Sequence, residues 1–368
     1  MNYDVKLIKK STTFETMNDI ILFICKKCNI HPKVEEDEKP KRKSKVDGNA
    51  EKVISTGSTL LDLSISGGRI KQGGLPGGIL VEIFGPSSSG KTVLLCEIAG
   101  GVQRNGGAVM FNDPEARLNK QFAKMFDLDI DRVEYSTPNT ITEVFKPIRE
   151  WEPKPSKPGA INGVFADSLA ALSTDMEMDE KDAYGMRRAK EFSEELRKTC
   201  RILTEENLLM VCSNQIRTNV DAGPYAQKYV SPGGKAIEFY SSLRLRMLGV
   251  EKIKRKTTVA GKEVTRIIGV KSDIEVAKSS VWKPFHQSTI TILFDYGIDD
   301  VRDNLQFIKD YTGQNVYCLG GMKLNKSIDE AIVVVEEEGL EAKLKQEVTE
   351  LWHEIDSRFK SERKPKHP

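Results

Sequence analysis

One stretch decides the fold of this chain: Gly85-Pro86-Ser87-Ser88-Ser89-Gly90-Lys91-Thr92. It matches the pattern G-x-x-x-x-G-K-[ST], in which the glycines let backbone N–H groups point at a phosphate. The flanks fit as well, because residues 78–84 form a short apolar run typical of a buried strand and residues 91–103 have a helical pattern. The N-terminus of that helix adds partial positive charge. The sequence therefore predicts that all eight residues contact the phosphates of a nucleotide.

Two side chains of this loop have separate tasks. Lys91 is suited to reach the β- and γ-phosphates of ATP, and the Thr92 hydroxyl is suited to ligate Mg²⁺. Asp167 follows the apolar run 160–166, so its carboxylate is expected at the carboxyl edge of a sheet, beside the loop. We therefore predict Thr92 and Asp167 as the metal site. The alternative is an aspartate that only caps the next turn.

Outward from the loop, apolar strands alternate with helices. Strands are predicted at 108–112, 133–136, 160–166 and 208–213, and helices at 115–126 and 186–206. Continuous apolar strands separated by helices are typical of a parallel sheet covered on both faces, which places the chain in the α/β class. Strand follows strand over 242–295, with a turn at 260–262, and this predicts an antiparallel extension of the sheet.

The chain divides into three predicted parts. Residues 1–50 contain a helical segment and a charged linker, and residues 51–295 form the α/β core. Residues 296–368 are predicted to form a small C-terminal helical domain with one helix at 340–359 and a basic tail.

Composition and cysteine usage narrow the class of protein. The 368 residues are 39% hydrophobic and 30% charged with a net charge of +2, as in a soluble globular protein. The apolar run at 20–25 is too short to span a bilayer, and the six scattered cysteines read as reduced thiols. A cytoplasmic protein without a membrane partner is expected.

Cys25, Cys28 and His31 have zinc-like spacing but are too few for a structural zinc site, which normally needs four ligands.

An ordered set of motifs resembles the RecA family of recombinases, which includes bacterial RecA proteins and phage UvsX-like proteins. The order and rough spacing of these motifs hold from about residue 52 to residue 295. The stretches that carry the resemblance are residues 54–58, 61–62, 85–92, 111–115, 167–172, 214–217, 233–240, 284–285 and, for the phage proteins, 294–299.

The resemblance implies a RecA-like P-loop core and roles for four further residues. It assigns Glu115 to the activation of the attacking water, Gln215 to sensing the γ-phosphate, Lys278 to the ATP of a neighbouring protomer, and Phe122 to packing near adenine. Taken alone, Glu115 reads as a charge at a helix N-terminus, Gln215 as a polar strand end and Phe122 as a core residue. The chain departs from the family at Glu238 and Ser280, where RecA carries lysines.

Two loops are predicted to contact DNA. The first, residues 173–184, is acidic, and only Arg187, Arg188 and Lys190 after it are suited to phosphates; a solvated helix face explains them equally well. The second, residues 217–235, combines cations, two tyrosines and glycines, which suits non-specific binding to a single strand. The residues predicted to bind DNA are Arg187, Arg188, Arg217, Lys228, Gly233, Gly234 and Lys235.

The resemblance implies a DNA-dependent ATPase that assembles into a helical filament on single-stranded DNA and exchanges strands with a homologous duplex. Loading or accessory proteins are further expected partners, and ATP with Mg²⁺ is the expected nucleotide. Two alternatives stay open. One is a RecA-like paralogue that regulates recombination without strand exchange; the departures at Glu238 and Ser280 keep it open, whereas the intact second loop counts against it. The other is a hexameric helicase, which would share Lys91 and Asp167 but not residues 214–217 followed by the glycine pair.

Overall fold

A computed structural model gives the architecture. It describes residues 52–173, 186–218, 229–230, 235–364 and 366, and for 186–188, 217–218, 229–230 and 235 it describes the backbone alone. The predicted N-terminal helix, the charged linker and the Cys25–Cys28 pair lie outside the described residues.

Strands dominate the middle of the chain. In chain order they are β1 (Val53–Ile54), β2 (Leu75–Pro76), β3 (Ile79–Gly85), β4 (Val109–Asn112), β5 (Val133–Ser136), β6 (Gly163–Ala166), β7 (Leu209–Gln215), β8 (Arg217–Thr218), β9 (Tyr229–Val230), β10 (Leu243–Val259), β11 (Lys262–Ser279), β12 (Gln287–Leu293), β13 (Gly297–Ile298), β14 (Tyr317–Leu319) and β15 (Met322–Asn325).

Helices cover the sheet and make up most of the C-terminal part. They are α1 (Thr59–Ser66), α2 (Lys91–Arg104), α3 (Lys120–Met125), α4 (Ile141–Glu150), α5 (Met186–Glu205), α6 (Lys235–Tyr240), α7 (Asp300–Thr312), α8 (Ile328–Glu337) and α9 (Glu341–Arg358). None of the helices in the described ranges is both long and apolar enough to cross a membrane.

Nine of the described strands form one large sheet in the order β13-β12-β11-β10-β3-β7-β6-β4-β5. From β10 to β5 every neighbouring pair is parallel, whereas β10, β11, β12 and β13 pair antiparallel to one another. This confirms the α/β class and the mostly parallel sheet with an antiparallel extension. Two apolar clusters pack on this sheet, one around α2 and one around α4 and α5, which accounts for the continuous apolar strands.

The middle of β3 carries a buried charge. The side chain of Glu82 is fully buried, and its carboxylate accepts a 2.6 Å hydrogen bond from Nε of Arg244 on β10. Asn214 donates to the other oxygen over 3.1 Å, and the Arg244 guanidinium lies 4.3 Å from the ring centre of Phe84. Partners on both neighbouring strands therefore compensate the charge of Glu82.

The prediction of a helix over 115–126 was wrong in its first half. The chain turns through residues 113–119, and the helix runs only from Lys120 to Met125. Asp113 accepts a 2.7 Å hydrogen bond from the N–H of Leu118, and Ala116 has a φ of 51°. Asn119 then caps the helix through the N–H of Phe122. Local side-chain hydrogen bonds thus satisfy backbone groups that the longer helix would have used.

The C-terminal part also differs from its prediction. Besides α7, α8 and α9 it contains the antiparallel hairpin of β14 and β15, which the sequence reading missed. These elements enclose a third apolar cluster, to which α1 contributes Leu63. Asp300 accepts hydrogen bonds from both the N–H and the hydroxyl of Thr59, so α1 is joined to the start of α7 by polar as well as apolar contacts.

Candidate nucleotide-binding site and adjoining loops

Four parallel strands end side by side at the phosphate-binding loop. In the register of β3 with β7, Gly85 lies opposite Gln215, and in the register of β4 with β6, Asn112 lies opposite Ala166. The residues just after these strands therefore share one edge of the sheet. In open α/β sheets this carboxyl edge is where ligands bind.

The loop geometry explains its two glycines. A Cβ on Gly85 would lie 2.7 Å from the carbonyl oxygen of Met247, and Gly90 has a φ of 95°. Side chains are thus excluded at the first position by space and at the second by backbone conformation. Helix α2 begins at Lys91, directly after Gly90, so its free N–H groups face the loop.

Lys91 lies beneath the loop. Its ammonium donates to the carbonyl oxygens of Pro86 at 2.6 Å and Gly85 at 3.1 Å, and the residue is only 8% exposed. Burial lowers the pKa of Lys91, while the nearby carboxylates of Asp167 and Glu115 act in the opposite direction. The ammonium is thus held against the backbone of the phosphate-binding loop by two hydrogen bonds.

Asp167 is joined to the loop by a hydrogen bond. The Thr92 hydroxyl donates to its Oδ2 over 2.6 Å, and the Ser213 hydroxyl donates to its Oδ1. The two residues predicted as a metal site are therefore adjacent. The sequence reading missed Ser213, although its place two residues before Gln215 on the same strand was a usable signal.

Glu115 lies in the turn after β4, not in a helix. Its carboxylate pairs with Arg117 at 2.8 Å and is close enough to Lys91 to affect the pKa of that amine. The reading of Glu115 as a helix N-terminal charge is therefore wrong, since the helix begins at Lys120.

Gln215 ends β7 beside Gly85, and its side chain is half-buried. Phe122 lies on α3, where its ring stacks edge-on against Phe126 with centroids 4.9 Å apart and packs on the main apolar cluster. The structure thus brings Gln215 next to the loop and places Phe122, partly buried, against the edge of the core.

Lys278 belongs to a different neighbourhood. It lies on β11, and its ammonium donates to the carbonyl oxygens of Glu238 at 2.7 Å and Phe239 at 3.0 Å near the end of α6. Burial and the nearby Arg244 guanidinium lower its pKa. Glu238 itself pairs with Arg244 at 3.2 Å, and the Ser280 hydroxyl donates to the carbonyl oxygen of Ser242. Among the residues described, Lys278 makes no hydrogen bond to the phosphate-binding loop of its own chain.

Of the seven residues predicted to bind DNA, four lie in the described ranges, and all four are described by their backbone alone. Arg187 and Arg188 lie in the first turn of α5, Arg217 pairs with Val230 in the two-residue ladder of β8 and β9, and Lys235 opens α6. Lys228, Gly233 and Gly234 lie outside the described residues, as does most of the first loop. The second loop thus starts two residues after Gln215.

The residues at this edge fit a nucleoside triphosphate and Mg²⁺. The glycine conformations leave room for phosphate oxygens, and Lys91 supplies a cation beside them. In the described part of the chain no three His, Cys, Asp or Glu side chains form a metal cage. Mg²⁺ needs none here, because it is commonly held by one or two protein oxygens together with substrate phosphates, and Thr92 and Asp167 supply such oxygens.

Comparison with known proteins gives consistent matches. The model of the RecA N-terminal domain matches residues 41–299. Protein RecA of Borrelia hermsii is 33% identical over 309 residues, which cover 81% of this chain and 82% of that protein. Protein RecA of Thermus aquaticus is 32% identical over 253 residues, 68% of this chain and 69% of its own, and that of Acholeplasma laidlawii is 31% identical over 284 residues, 76% of this chain and 80% of its own.

Proposed function

Because this chain belongs to the RecA family, whose members act in recombination and DNA repair, we propose that it is a DNA-dependent ATPase and recombinase. In this proposal ATP-bound protomers assemble into a filament on single-stranded DNA in the cytoplasm. The filament then pairs with a homologous duplex and exchanges strands. ATP hydrolysis releases the DNA.

One observation carries the proposal. The end of β7 is hydrogen-bonded in register to the end of β3, so that Gln215 lies beside Gly85, and the second predicted DNA loop starts at Arg217. A side chain that senses the nucleotide would thus be separated by a single residue from a loop that contacts DNA. Such a junction supports coupling, because contacts that differ between nucleotide states can shift the loop between conformations.

The chain's own residues divide the catalytic work. Lys91 holds the phosphates, and Glu115 positions and polarises the water that attacks the γ-phosphate. Thr92 and Asp167 would hold Mg²⁺, which would supply positive charge to the phosphate oxygens. Arg117, paired with Glu115 at 2.8 Å, keeps that carboxylate in the turn after β4.

Contacts between protomers are proposed to complete the site. Lys278 lies on β11 away from the loop of its own chain, which supports a role toward the ATP of a neighbour. To act there, its ammonium must leave the carbonyl oxygens of Glu238 and Phe239. Filament assembly would therefore exchange a contact within the chain for one between chains.

The test is ATP hydrolysis with and without single-stranded DNA, followed by strand exchange between a circular single strand and a linear duplex. Lys91→Ala is the blank, since it removes the cation beneath the loop. DNA-stimulated hydrolysis together with exchanged strands would support the recombinase. Binding of ATP without stimulation by DNA would contradict it.

A second candidate, a RecA-like paralogue that regulates recombination without exchanging strands, is favoured by one observation. Glu238 stands where the family has a lysine, and it forms an ion pair with Arg244 within the chain. Lys278 is likewise engaged with its own chain. Fewer cations would then be available to a neighbour's ATP. DNA-stimulated hydrolysis with no exchanged strands would favour this candidate.

A further inference from the structure

β10 and β11, the two longest strands in the described ranges, extend well beyond the sheet. β10 pairs with β3 only over Leu243–Arg246, and β11 pairs with β12 only over Gly269–Glu275. Residues 251–268 therefore form a two-stranded segment with no further strand on either side among the described residues, and we call this segment the ribbon. At about 3.3 Å per residue, its nine residues on β10 reach about 30 Å.

The ribbon ends in a tight turn. Ala260 and Gly261 form the two-residue connection, and their φ angles are 49° and 78°. Positive φ at both central positions is the turn type that matches the right-handed twist of paired strands. The ladder continues up to Val259 and Lys262, which are directly paired. The ribbon is thus an ordered two-stranded arm up to its tip.

The ribbon concentrates positive charge. It contains six basic and two acidic residues, a net charge of +4, while the whole chain has only +2 and the remainder is therefore net negative. One cation, Lys256, pairs with Glu263 at 2.9 Å. Within the described part of the chain, the other basic side chains of the ribbon form no ion pair, and all are exposed. They are Lys252, Lys254, Arg255, Lys262 and Arg266.

The unpaired cations lie on both faces. Alternation along β10 places Lys252 and Lys254 on one face and Arg255 on the other. Arg266 lies directly opposite Arg255 in the register, and Lys262 is paired with Val259 on that same second face. Like charges directly opposite each other destabilise a free ladder. This arrangement suits a partner that brings negative charge to both sides of the ribbon.

We propose that the ribbon binds double-stranded DNA by entering its major groove, with the cations of each face directed at one phosphate backbone. The groove is about 12 Å wide and admits a two-stranded β-ribbon. A flat anionic surface, such as a lipid bilayer, would engage only one face. The proposal extends the proposed function, since it names the surface that holds the duplex, and it is separate from the loop that follows Gln215.

The test compares two triple variants of the full-length protein that lose the same charge. The ribbon variant is Lys254→Gln, Lys262→Gln and Arg266→Gln. The control variant is Arg132→Gln, Lys146→Gln and Lys154→Gln, three exposed cations elsewhere in the core. Binding to a fluorescent 30-base-pair duplex and to a single strand is measured by anisotropy over a series of salt concentrations, with Mg²⁺ and a non-hydrolysable ATP analogue present.

The ribbon variant is expected to bind the duplex at least about 10-fold more weakly at low salt. Its slope of log K against log salt should fall by about 2 to 3, since each phosphate contact contributes about 0.9. Single-strand binding and DNA-stimulated hydrolysis should match the control variant. Duplex binding equal in the two variants would overturn the proposal, as would an equal loss for duplex and single strand.

Two further readouts separate the outcomes. A ribbon variant that loses binding to phosphatidylserine vesicles but keeps duplex binding would overturn the proposal in favour of a membrane surface. If the unaltered protein binds duplex through the ribbon yet shows no DNA-stimulated hydrolysis, the proposed function fails and the ribbon site stands. Circular dichroism and thermal melting must show that both variants are folded.

Discussion

The hydroxyl of Thr92 donates a 2.6 Å hydrogen bond to Oδ2 of Asp167, although 75 positions separate the two residues in the chain. The contact joins the first turn of α2 to the end of β6. Since Ser213 on β7 donates to the other carboxylate oxygen, one acidic side chain links three elements at the nucleotide edge.

Asp167→Asn should impair the use of Mg²⁺. The substitution removes the negative charge and turns one of the two accepting oxygens into a donor that faces a hydroxyl. We expect hydrolysis to need about 10- to 100-fold more Mg²⁺ for half-maximal rate, the range typical of residues that hold or orient metal ligands. The measurement is a Mg²⁺ titration of ATP hydrolysis. Ser213→Ala, which keeps the charge, should have a smaller effect, and an unchanged titration for Asp167→Asn would contradict the assignment.

Glu115→Gln should separate binding from chemistry. The amide has the shape of the carboxylate but cannot polarise the attacking water, so kcat should fall by about 10²- to 10⁴-fold. Binding of ATP and of single-stranded DNA should persist. Hydrolysis is compared with Arg117→Gln, which removes only the ion-pair partner and should lose less activity. Normal turnover in Glu115→Gln would refute the role of this carboxylate.

The second loop is expected to carry part of the single-strand affinity. Replacing Arg217 and Lys228 together by alanine removes two cations, so binding should weaken and the slope of log K against log salt should decrease by about 1.4, at about 0.7 per single-strand phosphate contact. Anisotropy with a labelled oligonucleotide measures both quantities. If affinity and slope both stay the same, the loop does not contact phosphates through these residues.

Removing Arg244 while keeping Glu82 should strongly destabilise the protein. Glu82 is fully buried, so Arg244→Ala would leave its charge partly uncompensated, and we expect a loss of about 3–5 kcal/mol in the free energy of unfolding. Urea denaturation measures it. The double variant Glu82→Leu, Arg244→Leu should lose less, because no buried charge remains. If the double variant loses as much unfolding free energy as Glu82→Leu and Arg244→Leu lose together, the two residues are not coupled.

Asp303 should make stability depend on pH. Burial raises its pKa from 3.8 to about 7, although the N–H and hydroxyl of Thr291 both donate to its carboxylate. Between these values the folded state binds more protons than the unfolded state, so the contribution of Asp303 to stability is present at low pH and is lost as pH rises toward 7. The slope is at most about 1.4 kcal/mol per pH unit.

Asp303→Asn removes this titration. The difference in unfolding free energy between the unaltered protein and the variant, measured at pH 5, 6, 7 and 8, should therefore shift in favour of the variant as pH rises and level off above pH 7. A difference that is constant across the series would mean that the folded-state pKa of Asp303 is not raised.

The local sequence pattern was sufficient to predict the phosphate-binding loop and the side chains at the neighbouring strand ends. The glycines, lysine and threonine of residues 85–92 predict the loop because their conformational and chemical demands are met within eight residues, and the apolar runs before Asp167 and Gln215 predict which side chains meet at the sheet edge. The roles of Glu115, Gln215 and Lys278 came from family resemblance and stay predictions. The turn at 113–119 could not be predicted from the apolar periodicity, which indicated a helix there. The side chains of Asp113 and Asn119 accept hydrogen bonds from backbone N–H groups, and the spacing of apolar residues carries no information about such bonds.

The sequence by itself determined the α/β class, the phosphate-binding loop and the polar residues that follow the strands beside that loop, because strand direction fixes which strand ends share an edge. Other features depend on residues that are distant in the chain. Only the tertiary structure decided that Ser213 shares Asp167 with Thr92, that Arg244 compensates Glu82, and that Lys278 faces α6 of its own chain. The tertiary structure also decided that β10 and β11 extend beyond the strands beside them and form the cationic ribbon. The reason is that the length over which two strands pair is set by the register between them, and not by the residue pattern within either strand.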